Sequence, residues 1–206
     1  MKNFFNSIFK TTPEQNASIN KIKNEIRQGY FADLNDLKTR PLRKNFAECV
    51  LPKPIAIPPS IVGQTLNSTQ TLATLHDAVR HQQSYATLIT VAAKEFSEPN
   101  LETWRKHLPP DVPNIKVIIG SNHSFINPLV TRSLQRKFPT DIASNRILFI
   151  EHHGSDAVKE FFNVKNSLVG NVAIADRSGH CVFLGEGRLG DDEIPQLSQF
   201  LSKLKI

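Results

Sequence analysis

The sequence predicts an α/β domain, a mixed sheet flanked by helices, preceded by a mostly irregular or helical N-terminal arm. Three observations lead there. From about residue 71 onward, apolar runs rich in β-formers alternate with stretches of helical periodicity, the pattern of strands joined by crossover helices. Near the C-terminus two such runs are separated by Asp176-Arg177-Ser178-Gly179, a tight-turn signal that implies antiparallel pairing. The first fifty residues, by contrast, are polar and mixed in charge, and a proline-rich stretch follows them.

In the arm, Ser18 to Tyr30 places Ile19, Ile22 and Ile26 on one helical stripe. Leu51 to Gly63 holds Pro52, Pro54, Pro58 and Pro59, which remove backbone donors and fix φ. That stretch reads as an extended connector or an edge-hugging segment. The division is therefore an arm over residues 1–50, a connector over 51–63 and a folded domain over 64–206. Thr71 to His81 reads as a short helix. Tyr85 to Ala93, a continuous apolar run, has the composition of a buried central strand. Asn100 to Leu108 is a helix with Leu101, Trp104 and Leu108 on one face. Ile115 to Gly120 is a second buried strand, and Phe125 to Lys137 a basic helix that Pro139 helps to end. Arg146 to Glu151 is a third strand. Ser155 is placed to cap a helix that buries Val158, Phe161 and Phe162. The closing hairpin and a helix over Asp191 to Leu204 complete the order.

Hydrophobic content is 39%, so part of the chain is expected outside the core. The net charge of +6 is uneven. Residues 1–50 hold nine Lys/Arg against five Asp/Glu, net +4, and the remainder sixteen against fourteen, net +2. Such an arm suits targeting or contact with an acidic surface. A near-neutral domain counts against nucleic-acid binding, which needs a clustered positive face. Cys49 and Cys181 are the two cysteines, far apart in sequence, so a disulfide framework is not expected. No apolar run reaches bilayer-spanning length. The opening MKNFFNSIFKTT carries Lys2 and Lys10, no acid, and Phe4, Phe5, Ile8 and Phe9 at helical spacing. It fits the start of a mitochondrial transit peptide and equally a frayed N-terminal helix.

The segment Asn166 to Gly190 is strand, polar turn, strand and glycine-rich exit; with the helix after it, this ending is typical of a thioredoxin-like α/β domain. Redox cysteines in such a domain sit just after the strand here read at Tyr85 to Ala93. That stretch is Lys94-Glu95-Phe96-Ser97-Glu98, without a thiol, and disulfide exchange needs a thiolate. Cys181 lies inside a strand and reads as a small buried hydrophobe. GEGRLG at Gly185 to Gly190 matches G-x-G-x-x-G, but the dinucleotide fingerprint opens a βαβ unit with an acidic residue roughly twenty positions on. The glycines instead suit a strand exit into a helix begun by Asp191 and Asp192. Glu151-His152-His153 with His123 could be taken for metal ligands, yet adjacent residues on an extended segment point to opposite faces, so a polar strand end is the better reading. Neither a metal nor a cofactor is expected. Arg132, Arg136 and Lys137 lie on one helix, with Arg132 and Arg136 a turn apart on one face. Their simple role is a solvated helix face, their sharper one contact with anionic lipid headgroups or an acidic partner.

Taken together, residues 85–200 resemble the mitochondrial ATP synthase assembly factors of the "ATPase complex subunit ten" type. The similarity rests on Lys165 to Gly179 (KNSLVGNVAIADRSG), the strand that follows to Gly187, Glu193 and Leu197, on LITVAAKEFSEPNLETW ending at Trp104, and on LVTRSLQRKFP. Arg40-Pro41-Leu42 matches a further family feature. Val182-Phe183 stands where the family has Arg-Trp, and Asn171 where it has an aromatic, which marks a divergent member. The resemblance implies a thioredoxin-like fold and a peripheral place on the matrix side of the mitochondrial inner membrane. It also implies a non-enzymatic role, binding newly made subunit a of the proton-transporting ATP synthase and promoting its joining to the ring. Arg132, Arg136 and Lys137 are then the expected partner or membrane contacts. Two other readings stand beside it: a degenerate thioredoxin- or peroxiredoxin-like oxidoreductase, and a mitochondrial RNA- or ribosome-associated protein. If the first twelve residues form a transit peptide, deleting Met1 to Thr12 leaves a tagged protein in the cytosol on fractionation; unchanged import refutes it.

Overall fold

The computed structural model describes residues 45–66, 71–93, 97–121, 126–144 and 146–205. The arm segments at Met1 to Thr12 and Ser18 to Tyr30, and His123, lie outside these residues. Eight strands form one sheet: β1 (Val50–Ala56), β2 (Val62–Thr65), β3 (Leu72–Thr74), β4 (Ala86–Ala92), β5 (Asn114–Ile119), β6 (Ile147–Ile150), β7 (Asn171–Asp176) and β8 (His180–Glu186). Their spatial order is β1-β8-β7-β4-β5-β6-β2-β3. The helices are α1 (Phe46–Cys49), α2 (Leu75–His81), α3 (Glu98–Lys106), α4 (Asn127–Lys137), α5 (Pro139–Ala143), α6 (Asp156–Phe161) and α7 (Ile194–Leu204).

β4, β5 and β6 pair in parallel through helical crossovers, whereas β7 runs antiparallel to both β4 and β8. This is the expected thioredoxin-like mixed sheet with flanking helices. All seven residues of β4 are buried. Their alternation feeds two cores. Ile89 and Val91 join Ile115, Val117, Ile119, Leu148 and Ile150 beneath α2 and α6. On the opposite face Leu88 joins Val172, Ile174 and Phe183 beneath α1, α3 and α7. An aromatic cluster ties that second layer. Phe183 of β8 lies 4.8 Å from Phe46, 5.6 Å from Trp104 and 5.9 Å from Phe200, so α1, α3 and α7 meet over one ring. Each such pair contributes about 0.5–1.5 kcal/mol beyond its area.

Three strands were not read as strands. Leu51 to Gly63, read as an extended connector or an edge-hugging segment, carries all of β1 but Val50, and β1 does lie on the sheet edge, where it pairs antiparallel with β8 across a bulge between Val50 and Ile55. An edge strand tolerates Pro52 and Pro54 because half of its donors face away from the sheet. The folded part therefore begins before residue 51, with Phe46 and Cys49 already buried. The same stretch runs into β2, which with β3 extends the sheet beyond β6. Thr71 to His81, read as all helix, opens as β3, and Thr74 then caps α2 by accepting from the Asp77 amide at 3.0 Å. Pro139 ends one helix and starts the next, α5. Ser155 occupies the N-cap position of α6 but makes no side-chain cap bond, because its hydroxyl donates to the His152 carbonyl at 2.6 Å.

Asp176 closes the β7–β8 hairpin by accepting from the amides of Ser178 and His180, both at 2.9 Å, and Gly179 takes the positive φ of +81° that the turn needs. Gly170, just before β7, has a different constraint: a Cβ there falls 2.5 Å from the Leu101 side chain, which is fully buried. Gly170→Ala is expected to destabilise the fold by about 1–3 kcal/mol in urea titration. Gly154→Ala, which meets only Ile150 at 3.8 Å, should be close to neutral. Equal effects at the two positions would contradict this packing.

Candidate functional site

The position that carries thiols in redox members of this fold is the junction of β4 and α3. Here α3 opens with Ser97 at its cap position and Glu98 in its first turn. Arg105 reaches back along the helix, its Nη2 2.6 Å from Glu98 and 2.7 Å from Glu102. The junction thus holds an intrahelical ion cluster and no nucleophilic sulfur, while Lys94 to Phe96 lie outside the described residues. The two cysteines cannot substitute. Cys49 belongs to the core on one side of the sheet and Cys181 to the core on the other, and neither is in a disulfide. Cys181 donates to the Phe183 carbonyl at 3.1 Å, and burial pushes its pKa from 9.0 up to about 12.

The glycine-rich exit after β8 is latched onto α3. The Trp104 indole donates to the Gly187 carbonyl at 2.9 Å, and the Leu189 amide donates to Thr103 Oγ1 at 2.9 Å. Gly187 takes φ +76° and donates to the Gly170 carbonyl. α7 begins at Ile194 and not at Asp191 or Asp192; the carboxylate that receives the Gly190 amide is that of Glu193, at 2.7 Å. These glycines serve a turn packed against Trp104. His152 and His153 stand on a single 3-10 turn, not on an extended segment, with rings 6.1 Å apart edge to face. Burial, with Lys159 nearby, lowers the His152 pKa and favours its neutral form. Among the described residues no group of three His, Cys, Asp or Glu is arranged to hold a metal.

The basic helix is α4. Its sequence NPLVTRSLQRK contains no acid. Val130 and Leu134, with Phe138 at its end, face the sheet. Arg132, Ser133, Arg136 and Lys137 are exposed on the other side and line a shallow depression with Leu129. Among the described residues Arg132 and Arg136 form no ion pair, and Lys137 lies 5.4 Å from the Phe138 ring. The structure thus brings Arg132, Arg136 and Lys137 onto one surface. Sequence reasoning missed two neighbours. Leu129, 64% exposed, extends that surface with an apolar side chain. Lys116 in β5 pairs with Asp141 of α5 from inside the sheet layer; its signal was a lone cation in the apolar run IKVIIG.

Among the described residues no helix is long and apolar enough to cross a membrane. Solved structures similar to this chain include the dsbF protein of MTB, at 13% identity over 72% of this chain and 99% of that one, with a TM-score of 0.44. A thioredoxin-family thiol:disulfide interchange protein of Chlorobium tepidum matches at 9% identity over 75% and 98%, with a TM-score of 0.42. The thioredoxin domain of a thiol-disulfide oxidoreductase of Bacteroides vulgatus matches at 13% over 68% and 92%, also with 0.42. No curated protein sequence matches the chain.

A thiol as deeply buried as that of Cys181 should resist iodoacetamide in the native protein at pH 8 and react only in denaturant, as read by mass spectrometry. Between pH 9 and about 12 the native state keeps the thiol proton that the unfolded chain has lost. Stability therefore falls as pH rises through that window, and Cys181→Val should remove this part of the slope. Rapid native alkylation of Cys181 would overturn both statements.

The sequence matches the ATP10 protein family over residues 1–204, nearly its whole length. The chain therefore belongs to that family, and the membership implies an ATP synthase assembly factor and points to the mitochondrion.

Proposed function

We propose that this protein acts without catalysis of its own, binding newly made subunit a of the mitochondrial proton-transporting ATP synthase and promoting its joining to the ring of the membrane sector. On this reading it works as a peripheral protein on the matrix side of the inner membrane. The family match over residues 1–204 is the observation that carries the proposal. The β4–α3 junction supports it: an ion cluster stands there, and the two cysteines lie in separate cores. A domain built this way offers surfaces, and the α4 face with Arg132, Arg136 and Lys137 is the one assigned to contact. Each Lys or Arg near an anionic leaflet contributes roughly 1 kcal/mol.

Crosslinking and affinity capture of the tagged protein from mitochondria, with newly synthesised organelle-encoded subunits labelled, tests the function. Enrichment of subunit a over the other labelled products supports it; recovery of ribosomal RNA, or of no labelled subunit, refutes it. Changing Arg132, Arg136 and Lys137 together to Glu should release the protein from anionic liposomes in co-sedimentation. Unchanged co-sedimentation would remove α4 from the contact surface.

A further inference from the structure

α4 carries two stripes of side chains. The inner one, Val130, Leu134 and Phe138 at i, i+4 and i+8, packs on the sheet. The outer one is Leu129, Arg132, Ser133 and Arg136, at i, i+3, i+4 and i+7, and these four line one shallow depression together with Lys137. Packing explains the inner stripe and not the outer. The helix dipole accounts for the cations of the last turn, Arg136 and Lys137, but Arg132 stands before that turn. Among the described residues neither arginine is in an ion pair. A singly exposed leucine needs no explanation. The other large exposed apolar side chains among the described residues, Ile55, Val62 and Leu72, stand on β1, β2 and β3. Leu129 differs from them in sharing a helical stripe with cations. From Leu129 to Arg136 is about 10 Å along the axis. The apolar side chain thus lies at one end, and the two guanidinium groups follow one and two turns on.

This arrangement suits a surface better than a pocket. The depression is lined by one helix alone, so a free anion held there would stay largely in water. An anionic phospholipid surface meets both parts of the stripe, with phosphates for the arginines and an acyl boundary for the leucine. The apolar stem of arginine lets its guanidinium remain at headgroup level while the helix settles below it. Charge alone gives a weak attachment. Each Lys or Arg near an anionic leaflet raises binding about fivefold, and salt screens that gain. Stable attachment takes a second signal, and Leu129 stands on the right face to supply it. An acidic protein segment would match the arginines and offer nothing to Leu129.

We propose that α4 lies in the plane of an anionic phospholipid surface, with Leu129 entering the acyl boundary and Arg132 and Arg136 on headgroup phosphates. This mode of contact rests on the reading that α4 is the contact face, and adds to it the depth of Leu129 and the orientation of the helix.

Fluorescence of the Leu129→Trp protein tests the insertion, with vesicles of equimolar phosphatidylcholine and phosphatidylglycerol brominated on their acyl chains. Trp104, the one native tryptophan, is fully buried and gives a constant background. The added indole should shift to the blue and be quenched by the brominated lipid; vesicles of phosphatidylcholine alone should do neither. In co-sedimentation Leu129→Gln should bind the mixed vesicles roughly tenfold more weakly and lose the part of the binding that survives high salt. Arg132→Gln combined with Arg136→Gln should weaken binding about 25-fold at low salt and less at high salt. These variants change exposed side chains and should keep the wild-type urea midpoint. Unchanged binding by Leu129→Gln, or bound Leu129→Trp that brominated lipid does not quench, overturns the insertion and leaves α4 as a charged contact. Displacement by inorganic phosphate beyond that by sodium chloride of equal ionic strength overturns the membrane as occupant. So does capture on immobilised polyglutamate without binding to the mixed vesicles. Retained vesicle binding with Arg132, Arg136 and Lys137 all changed to Glu overturns the contact face itself. Loss of subunit a capture with the vesicle results intact overturns only the proposed client.

Discussion

The burial of β4 on both faces is the constraint on which the rest of the structure depends. A strand with seven buried residues needs a neighbour on each edge and an apolar layer above and below. β5 and β7 supply the edges, one parallel and one antiparallel. The layers follow from the period of two: Ile89 and Val91 require α2 and α6, and Leu88 requires α1, α3 and α7. Phe183 then becomes the meeting point of the second layer, because β8 lies one strand beyond β7 and its ring reaches Phe46, Trp104 and Phe200 together. The cluster closes because four aromatic groups, Phe46, Trp104, Phe183 and Phe200, share the volume.

Much of this was legible because it is periodic. The run YATLITVAA could hardly be anything but a central strand, and Asp176 to Gly179 could hardly be anything but a tight turn. β1, β2 and β3 were not legible as strands for three separate reasons. β1 contains two prolines, which signal a strand only once the segment is known to lie on an edge. β2, VGQT, and β3, LAT, are too short for alternation to register. Ser155 had the right residue type for a cap, but its hydroxyl found the nearer His152 carbonyl. The pairing of Lys116 with Asp141, 25 positions apart, depends on a tertiary contact that no local pattern encodes.

The candidate site shows the same division. Arg132 and Arg136 could be placed on one face from spacing alone. Leu129 could not be told from a core residue, since it sits one position from Val130 in a helix whose period alone does not say which stripe faces the sheet. The position of the missing thiols was readable from the order of elements. What fills that junction, an arginine held between two glutamates along α3, was not, because Glu98 and Arg105 are two turns apart and meet only through the length of the arginine side chain.

Packing demands some parts of this fold and leaves others free. α3 and α7 are explained by packing, since each buries large apolar side chains against the central strands. α4 is not: it covers a small strip with half-buried residues and turns Leu129, Arg132, Arg136 and Lys137 outward. Sequence on such a helix is weakly constrained by stability, so a run of eleven residues holding three cations and no acid is free to suit a role outside the core, the one proposed for it above. Contact with an anionic surface or partner is a cause of the right sign.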